Sequence, residues 1–414
     1  MTENTISIVD LLKTLHKSIS IESDKDLANE IALAILRIFD NQLEPTQCAS
    51  LLTLLSLGRE QDPLVLAKTA ARMREAAAQV DRKALRKAVH QRGQRIGGYH
   101  GGLCDIVGTG GDGHSTFNVS TTASIVASSL LLISKHGNRA SSSTSGSADL
   151  LQSIAPKGPR IEAITATTLP SVYQKSNYAF LFAPQFHPGM RHVAPIRKSL
   201  GFPTIFNLLG PLANPVEGDI EARIVGVRNT SLGNKFAEAL SFTGARKGMV
   251  VCGAENLDEI SCAGKTLCWR LVTKSGRPHR DHEKSIVDEE DSTLPPAEVQ
   301  YFELEPSNFG LSTHPLNEVA GGKMPHENAK ILMNLLHNEL PENDPILDFV
   351  LLNTAALFAV SGICDAKVDE VIEEEGPGGL RWKEGVRRAR WAIESGAALE
   401  SLNRYIEATH SFDE

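Results

Sequence analysis

Apolar positions in the first ninety residues recur at helical spacing. Ser23, with Asp26 three residues on, forms a capping signature, and Leu27, Ile31, Ile35 and Ile38 then share one helical face. A second apolar run, Leu51–Leu57, stops at Gly58. Asp62-Pro63 predicts the N-cap and first position of a further helix that runs through Met73 to Val80. No strand-like alternation interrupts this block. After Gly97-Gly98 the character changes. Short apolar runs at Asp105–Val107, Leu131–Ser134, Ala179–Phe182, Ile224–Val227 and Met249–Cys252 alternate with helical stretches, which predicts a parallel sheet with crossover helices. Leu347–Val360 and Trp382–Ile406 predict helices near the end. The expected fold class is α/β: a small all-helical N-terminal domain over residues 1–95 and a larger α/β domain over 96–414 with a mostly parallel central sheet. Two polar stretches, 274–298 with Asp288–Asp291 and 367–380 with Glu373-Glu374-Glu375 before Gly376-Pro377-Gly378-Gly379, are expected to be surface insertions.

Composition narrows the class. The chain has 414 residues, 41% hydrophobic and 22% charged, with 33 Gly and 20 Pro, which excludes collagen-like and Pro/Gly-driven disordered proteins. Lys plus Arg total 42 against 50 Asp plus Glu, a net charge of −8, which argues against nucleic acid or an anionic membrane as partner. Six cysteines at 48, 104, 252, 262, 268 and 364 include no C-x-x-C pair, so neither a zinc ribbon nor a thioredoxin-type site is suggested. The polar, soon charged N-terminus does not read as a signal peptide, and the longest apolar stretch, around Ile125–Ile133, is broken by serines. The expectation is a soluble cytoplasmic protein with reduced cysteines.

The first candidate chemistry is the glycine loop Gly108-Thr109-Gly110-Gly111-Asp112-Gly113, directly after the strand-like Asp105–Val107. It satisfies G-x-G-x-x-G formally. A dinucleotide site, however, opens its helix within the motif and places an acid about 20 residues on. Here the next helix is expected near Ser120-Thr121, and the following strand ends in Lys135-His136. A polyanion site fits better: glycines let backbone N–H groups approach phosphate, and the helix after Asn118-Val119-Ser120-Thr121-Thr122 offers free N–H groups and hydroxyls at its positive end. Asp112 in such a loop calls for hydrogen-bond donors. A second loop, Lys135-His136-Gly137-Asn138-Arg139-Ala140 and then Ser141 to Ser147, brings two cations and six hydroxyls. Both loops follow strands, where a parallel sheet binds its ligands. One helix terminus supplies about 0.3–1 kcal/mol and micromolar binding needs about 8 kcal/mol, so lysine and metal are called for. The adjacent carboxylates Asp258-Glu259 after Met249–Cys252 are the candidate magnesium ligands. His279-Arg280-Asp281-His282 has metal-like spacing but lies in the charged stretch and is read as solvated.

Together these segments resemble the anthranilate phosphoribosyltransferase family over nearly the whole chain. The resemblance rests on DIVGTGGDG (105–113) with TFNVSTT (116–122), KHGNRASSSTSGSADLL (135–151), FAPQFHPGMRHVAPIRKSLGFPTIFNLLGPLANP (182–215) and LDEIS (257–261), in family order. It implies a helical domain completed by a returning segment near 186–203, and a homodimer formed through that domain. It also implies that Gly108, Gly111, Asp112, Thr116, Asn118, Val119, Ser120, Thr121, Lys135, His136, Gly137, Asn138, Arg139, Ala140, Ser141, Ser142, Ser143 and Ser147 cradle phosphoribosyl pyrophosphate. Ser120, Asp258 and Glu259 would hold Mg2+. Gly108, Asn138 and Arg197 would line the anthranilate site, with His136 and His187 near the path of the aromatic substrate. Thr144 stands where the family often has Lys. The implied reaction moves the 5-phosphoribosyl group to the amine of anthranilate. Two competing readings are a pyrimidine nucleoside phosphorylase of the same fold, which has no use for a pyrophosphate-binding metal pair, and a non-catalytic phosphoribosyl-binding protein.

Overall fold

The structure is a computed structural model, and it describes residues 5–17, 24–140, 145–273, 297–322, 324–367 and 371–412. The N-terminal block is helical: α1 (Val9–Lys17), α2 (Lys25–Phe39), α3 (Pro45–Ser56), α4 (Pro63–Glu75) and α5 (Arg82–Arg92). Asp62 caps α4 through its carboxylate, which accepts from the Leu64 and Val65 N–H groups, with Pro63 at the first helical position as expected. Two expectations shift. The cap of α2 is Asp24, which accepts from Leu27 N–H at 2.8 Å, and Ser23 lies outside the described residues. Helix α4 ends at Glu75 and does not run on to Val80, because the Ala78 N–H leaves the helical ladder to bond the Phe186 carbonyl at 2.7 Å.

The remainder alternates as predicted: β1 (Leu103–Gly108), α6 (Val119–Ala127), β2 (Leu132–Gly137), α7 (Ser147–Gln152), α8 (Leu169–Lys175), β3 (Tyr178–Phe182), α9 (Ala183–Phe186), α10 (Met190–Leu200), α11 (Phe206–Leu209), β4 (Ile220–Gly226), α12 (Gly233–Phe242) and β5 (Lys247–Gly253). The strand order β3-β2-β1-β4-β5 is wholly parallel. Two further strands, β6 (Thr266–Val272) and β7 (Glu298–Leu304), extend the edge antiparallel, giving a seven-stranded sheet among the described residues. The hydropathy pattern missed both, because an edge hairpin alternates only weakly: β7 is exposed or half-buried along most of its length. The expected insertion 274–298 lies outside the described residues except for its last two, and Glu298 already belongs to β7.

The chain ends in α13 (Pro325–Leu336), α14 (Pro345–Ser361), α15 (Trp382–Glu394) and α16 (Ala397–His410). The single helix expected over 382–406 is two, broken at Gly396, whose φ of +76° is the left-handed conformation that glycine adopts without strain. Residues 371–380 of the second expected insertion pack on neighbours: Ile372 N–H donates to Glu384, and the Pro377 carbonyl accepts from the Trp382 indole N–H at 3.0 Å.

Successive strand residues point to opposite faces of the sheet, and the core divides accordingly. Ile106, Ile224, Met249 and Val251 join α6, α14, α15 and α16 on one face. Val107, Val225, Val250 and Cys252 join α12 and helices α1 to α4 on the other. Helix α10 packs on α2 and α3, whereas α5 packs on α8 and anchors Asp219 through Arg82 and Arg86. No helix among the described residues is long and apolar enough to cross a membrane.

Candidate active site

The loops after β1, β2, β4 and β5 meet at the carboxyl edge of the sheet. Between β1 and β4 the strand order reverses direction, the place where an open α/β sheet leaves a crevice. Gly108 closes β1, and Gly110, Gly111 and Gly113 hold φ of +68°, +74° and +83°, so the loop takes a path that L side chains resist. The Gly110 N–H donates to Asp258 Oδ2 at 2.6 Å, Asp258 N–H donates to Asp112 Oδ2 at 3.4 Å, and Asp112 Oδ1 accepts from His114 N–H at 3.1 Å. The glycine loop and the acid pair, nearly 150 residues apart in sequence, therefore form one unit. Asp112 finds its donors in backbone amides. A Cβ on Gly108 or Gly226 would fall inside Asp258, so these two glycines make the room it occupies.

Helix α6 starts at Val119, one residue before the expected position, with Asn118 as its cap residue. Ser120 in its first turn lies close enough to Glu259 to favour the charged carboxylate. Asn118 donates to the Ser145 carbonyl at 2.8 Å and Thr121 to Ser147 Oγ at 2.8 Å, which ties the two predicted loops together. Thr116 bridges to Ala320. Strand β2 runs through Lys135, His136 and Gly137, so Lys135 is a strand residue, 2% exposed.

The electrostatics of this cluster are unusual. Burial, then the neighbouring Asp112 carboxylate, pushes Asp258 up to about 7. Burial and the charge of Asp258 push Glu259 well above the carboxylate range. Burial lowers Lys135, against the pull of Asp105, Glu259 and Asp258. Asp105 is itself buried, raised by burial, and accepts from Asn214 Nδ2 at 2.9 Å. Lys135 is thus a buried counter-charge beneath the acids, outnumbered by them. A cluster of hard oxygen donors with surplus negative charge fits a divalent cation, which relieves the repulsion that raises these groups. Among the described residues no three His, Cys, Asp or Glu side chains converge as a ready-made cage. That suits magnesium, which takes one or two carboxylates and completes its shell with water and substrate phosphate.

Arg228, which the sequence reading missed, lies two residues beyond β4. A Cβ on Gly111 would come within 3.4 Å of Arg228 Nη1, and Arg228 N–H donates to Thr109 Oγ1 at 3.1 Å. Its signal was its place just past a strand end. Arg139 turns aside: its guanidinium stacks over Phe182 and pairs with Asp149 and Glu162 at 3.2 and 3.3 Å. Ala140 N–H also donates to Asp149, while Asn138 Oδ1 accepts from Arg139 N–H. Ser141, Ser142, Ser143 and Thr144 lie outside the described residues, as does 279–282.

A second group adjoins the first. His136 Nδ1 contacts the Gly210 carbonyl at 3.2 Å and His187 Nε2 the Ala213 carbonyl at 3.0 Å, their rings 5.2 Å apart. Burial lowers them to about 3 and about 4, so both rings are neutral. His136 Nε2 is buried without a partner among the described residues. Asn207, three residues before Gly210, accepts from Arg197 Nη2 at 3.0 Å, and the Arg197 guanidinium lies 5.7 Å over the Phe206 ring. Burial lowers Arg197, and among the described residues no carboxylate pairs with it. A half-buried guanidinium oriented by an amide and a ring presents its remaining donors to an anion.

Comparison with known proteins agrees with this geometry. Residues 100–399 match the model of the glycosyl transferase family, a/b domain. An anthranilate phosphoribosyltransferase of Schizosaccharomyces pombe is 45% identical over 302 residues, 73% of each chain. The solved anthranilate phosphoribosyltransferase of Saccharomyces cerevisiae in complex with PRPP and Mg matches with a TM-score of 0.76 at 33% identity, covering 98% of this chain and 99% of that one. The same enzyme in complex with 4-fluoroanthranilate matches at 0.75 and 32%, covering 97% of each.

Proposed function

The chain belongs to the anthranilate phosphoribosyltransferase family, and on that premise we propose how its residues divide the work of the reaction. The enzyme transfers the 5-phosphoribosyl group of phosphoribosyl pyrophosphate (PRPP) to the amine of anthranilate and releases pyrophosphate, a step of tryptophan biosynthesis, with Mg2+ as cofactor. The observation that carries the assignment of roles is the 2.6 Å hydrogen bond from Gly110 N–H to the buried Asp258, which closes a phosphate-type loop onto the acid pair.

In our reading Asp258, Glu259 and Ser120 hold the magnesium ion, which when bound offsets the negative charge that grows on the departing pyrophosphate. Gly108, Gly111, Asp112, Thr116 and Asn118 to Thr121 offer the loop amides and hydroxyls that orient PRPP. Lys135 keeps the acid pair from over-charging the crevice, and Arg228 adds a cation beside Gly111. His136, Gly137, Asn138 and Ser147 complete the cradle for PRPP. Arg139 and Ala140 act by shaping the loop, since Asp149 engages the guanidinium and the Ala140 N–H and Asn138 Oδ1 engages the Arg139 N–H. Arg197, with Gly108 and Asn138, receives anthranilate, its guanidinium taking the carboxylate. The neutral His136 and His187 edge the aromatic path without adding charge. The aromatic amine is neutral at pH 7 and attacks without prior deprotonation, so positioning carries much of the rate and no general base is assigned.

The division into a helical unit, 1–95 with 186–203, and an α/β unit is our proposal too, supported by α10 packing on α2 and α3. So are a homodimer through the helical unit, supported by exposed Val9 and Leu33 there, and a cytoplasmic location. A pyrimidine nucleoside phosphorylase has no pyrophosphate to clamp, which leaves the acid pair unexplained.

The test is turnover of anthranilate with PRPP and Mg2+, followed by anthranilate fluorescence and pyrophosphate release in equal amounts. The double variant Asp258→Asn/Glu259→Gln is expected to fold and to lose most turnover. Full activity of that variant, or phosphorolysis of a pyrimidine nucleoside by the wild type without PRPP turnover, overturns the assignment.

A further inference from the structure

We infer that Asn353, in the middle of α14, is a positioning residue for the acid pair. It holds the peptide of Ile260 next to Glu259, so that both carboxylates are presented to a divalent cation. The inference rests on the reading of Asp258-Glu259 as metal ligands.

Helix α14 is buried from Leu347 to Ser361, and Asn353 has no solvent exposure. An amide there sits in a low-dielectric interior, where its polar atoms must find partners. Asn353 Oδ1 accepts from Ile260 N–H at 3.1 Å, while Nδ2 donates to the Ile260 carbonyl at 3.2 Å and to its own helix at Phe349 O, 3.0 Å. One side chain thus satisfies both polar groups of a single peptide residue, as a paired strand would. The fixed plane of the amide specifies position and direction together.

The segment it holds has no regular structure of its own. Residues 258–262 leave β5 and turn back before β6, held by the packing of Ile260 and Cys262 in the core and by specific bonds that fix their direction. Asp258 is tied to Gly110 and Asp112 on the upstream side. Downstream, Ser261 N–H donates to Thr266 Oγ1 at 2.9 Å, and the Cys262 carbonyl accepts from His314 N–H at 2.8 Å. Asn353 grips the residue between these two sets of bonds, adjacent to Glu259, whose carboxylate must resist repulsion from Asp258 and Asp112. A tether on the backbone between these two sets of bonds fixes where the Glu259 carboxylate stands. Outer partners that orient metal ligands typically carry about 10–100-fold in metal affinity when removed.

The experiment uses the full chain and titrates PRPP by calorimetry at a series of fixed Mn2+ concentrations, with anthranilate kinetics and thermal melting in parallel. Asn353→Leu keeps the volume and removes both contacts. It is expected to need about 10–100-fold more Mn2+ for half-maximal PRPP binding, with the KM for anthranilate within about twofold of wild type. Asn353→Ser, whose shorter side chain also loses both bonds to Ile260 but stays polar, is expected to shift in the same direction. If Asn353→Leu fails to fold, Asn353→Ser carries the test. A folded variant with unchanged Mn2+ dependence, or one that loses PRPP and anthranilate affinity equally with no Mn2+ shift, overturns the inference and leaves Asn353 as packing. Absence of Mn2+-dependent PRPP binding in the wild type would instead overturn the metal assignment itself.

Discussion

Replacing Gly108 by alanine isolates the contact between the glycine loop and the acid pair. Gly108 ends β1 with an ordinary backbone angle, so alanine brings no conformational strain there. The added methyl would fall inside the Asp258 carboxylate, with Asp258 Cγ at 2.9 Å and its carbonyl oxygen at 3.1 Å. The carbonyl belongs to a pinned backbone, so the carboxylate must rotate. Rotation breaks the 2.6 Å bond from Gly110 N–H. A hydrogen bond to a charged group is worth about 1.5–3 kcal/mol, and overpacking costs about 1–3 kcal/mol. If about 3 kcal/mol of that is felt by the metal-bound substrate, kcat/KM for PRPP falls about 100-fold, since ~1.4 kcal/mol is tenfold. The assay is steady-state turnover at varied PRPP and Mg2+, beside thermal melting. Gly218→Ala, whose methyl would meet nothing within 4 Å, is the control and is expected to behave as wild type. Wild-type Mg2+ dependence and kcat/KM in Gly108→Ala would refute the reasoning, because the methyl could then be placed only if Asp258 is not where the cation sits.

Arg197→Ala is expected to raise the KM for anthranilate far more than that for PRPP, by an amount corresponding to about 2–5 kcal/mol if the substrate carboxylate is left desolvated; equal changes in both constants would make Arg197 structural. The buried histidines predict acid sensitivity. An unfolded histidine takes up a proton below about pH 6.5, whereas the folded His187 does so only near 4 and His136 near 3. Between those values the unfolded state binds more protons, so stability falls as pH falls, by up to about 1.4 kcal/mol per pH unit for each ring. Denaturant melts of His187→Gln from pH 7 to 4.5 are expected to show a shallower acid slope, and an unchanged slope refutes the burial argument.

Much of the architecture was legible from local pattern. Buried parallel strands read as short apolar runs, and helices with Asp caps and Pro at the first position announce their own starts, as α4 does. The edge strands β6 and β7 were not legible, because their burial depends on which side of the sheet the chain returns to. The break at Gly396 was missed because helical periodicity continues across it; a glycine within such a pattern does not say whether it is helical or left-handed.

For the site, the residue types and their positions after strands were enough to mark the glycine loop, the Lys135 loop and the acid pair, because phosphate and metal chemistry demands those groups. What the sequence by itself could not decide is how they act on one another. That Asp258 takes its hydrogen bond from Gly110, that Lys135 is buried under the acids, that Arg139 is drawn off by Asp149 and Glu162, and that Arg228 stands beside Gly111 depend on contacts between segments from 10 to nearly 150 residues apart. Charge interactions and burial fall off over a few ångströms of space, not along the chain, so only the fold sets them. Asn353 drew no notice in the sequence, because its partner, the peptide of Ile260, exists only in the folded protein.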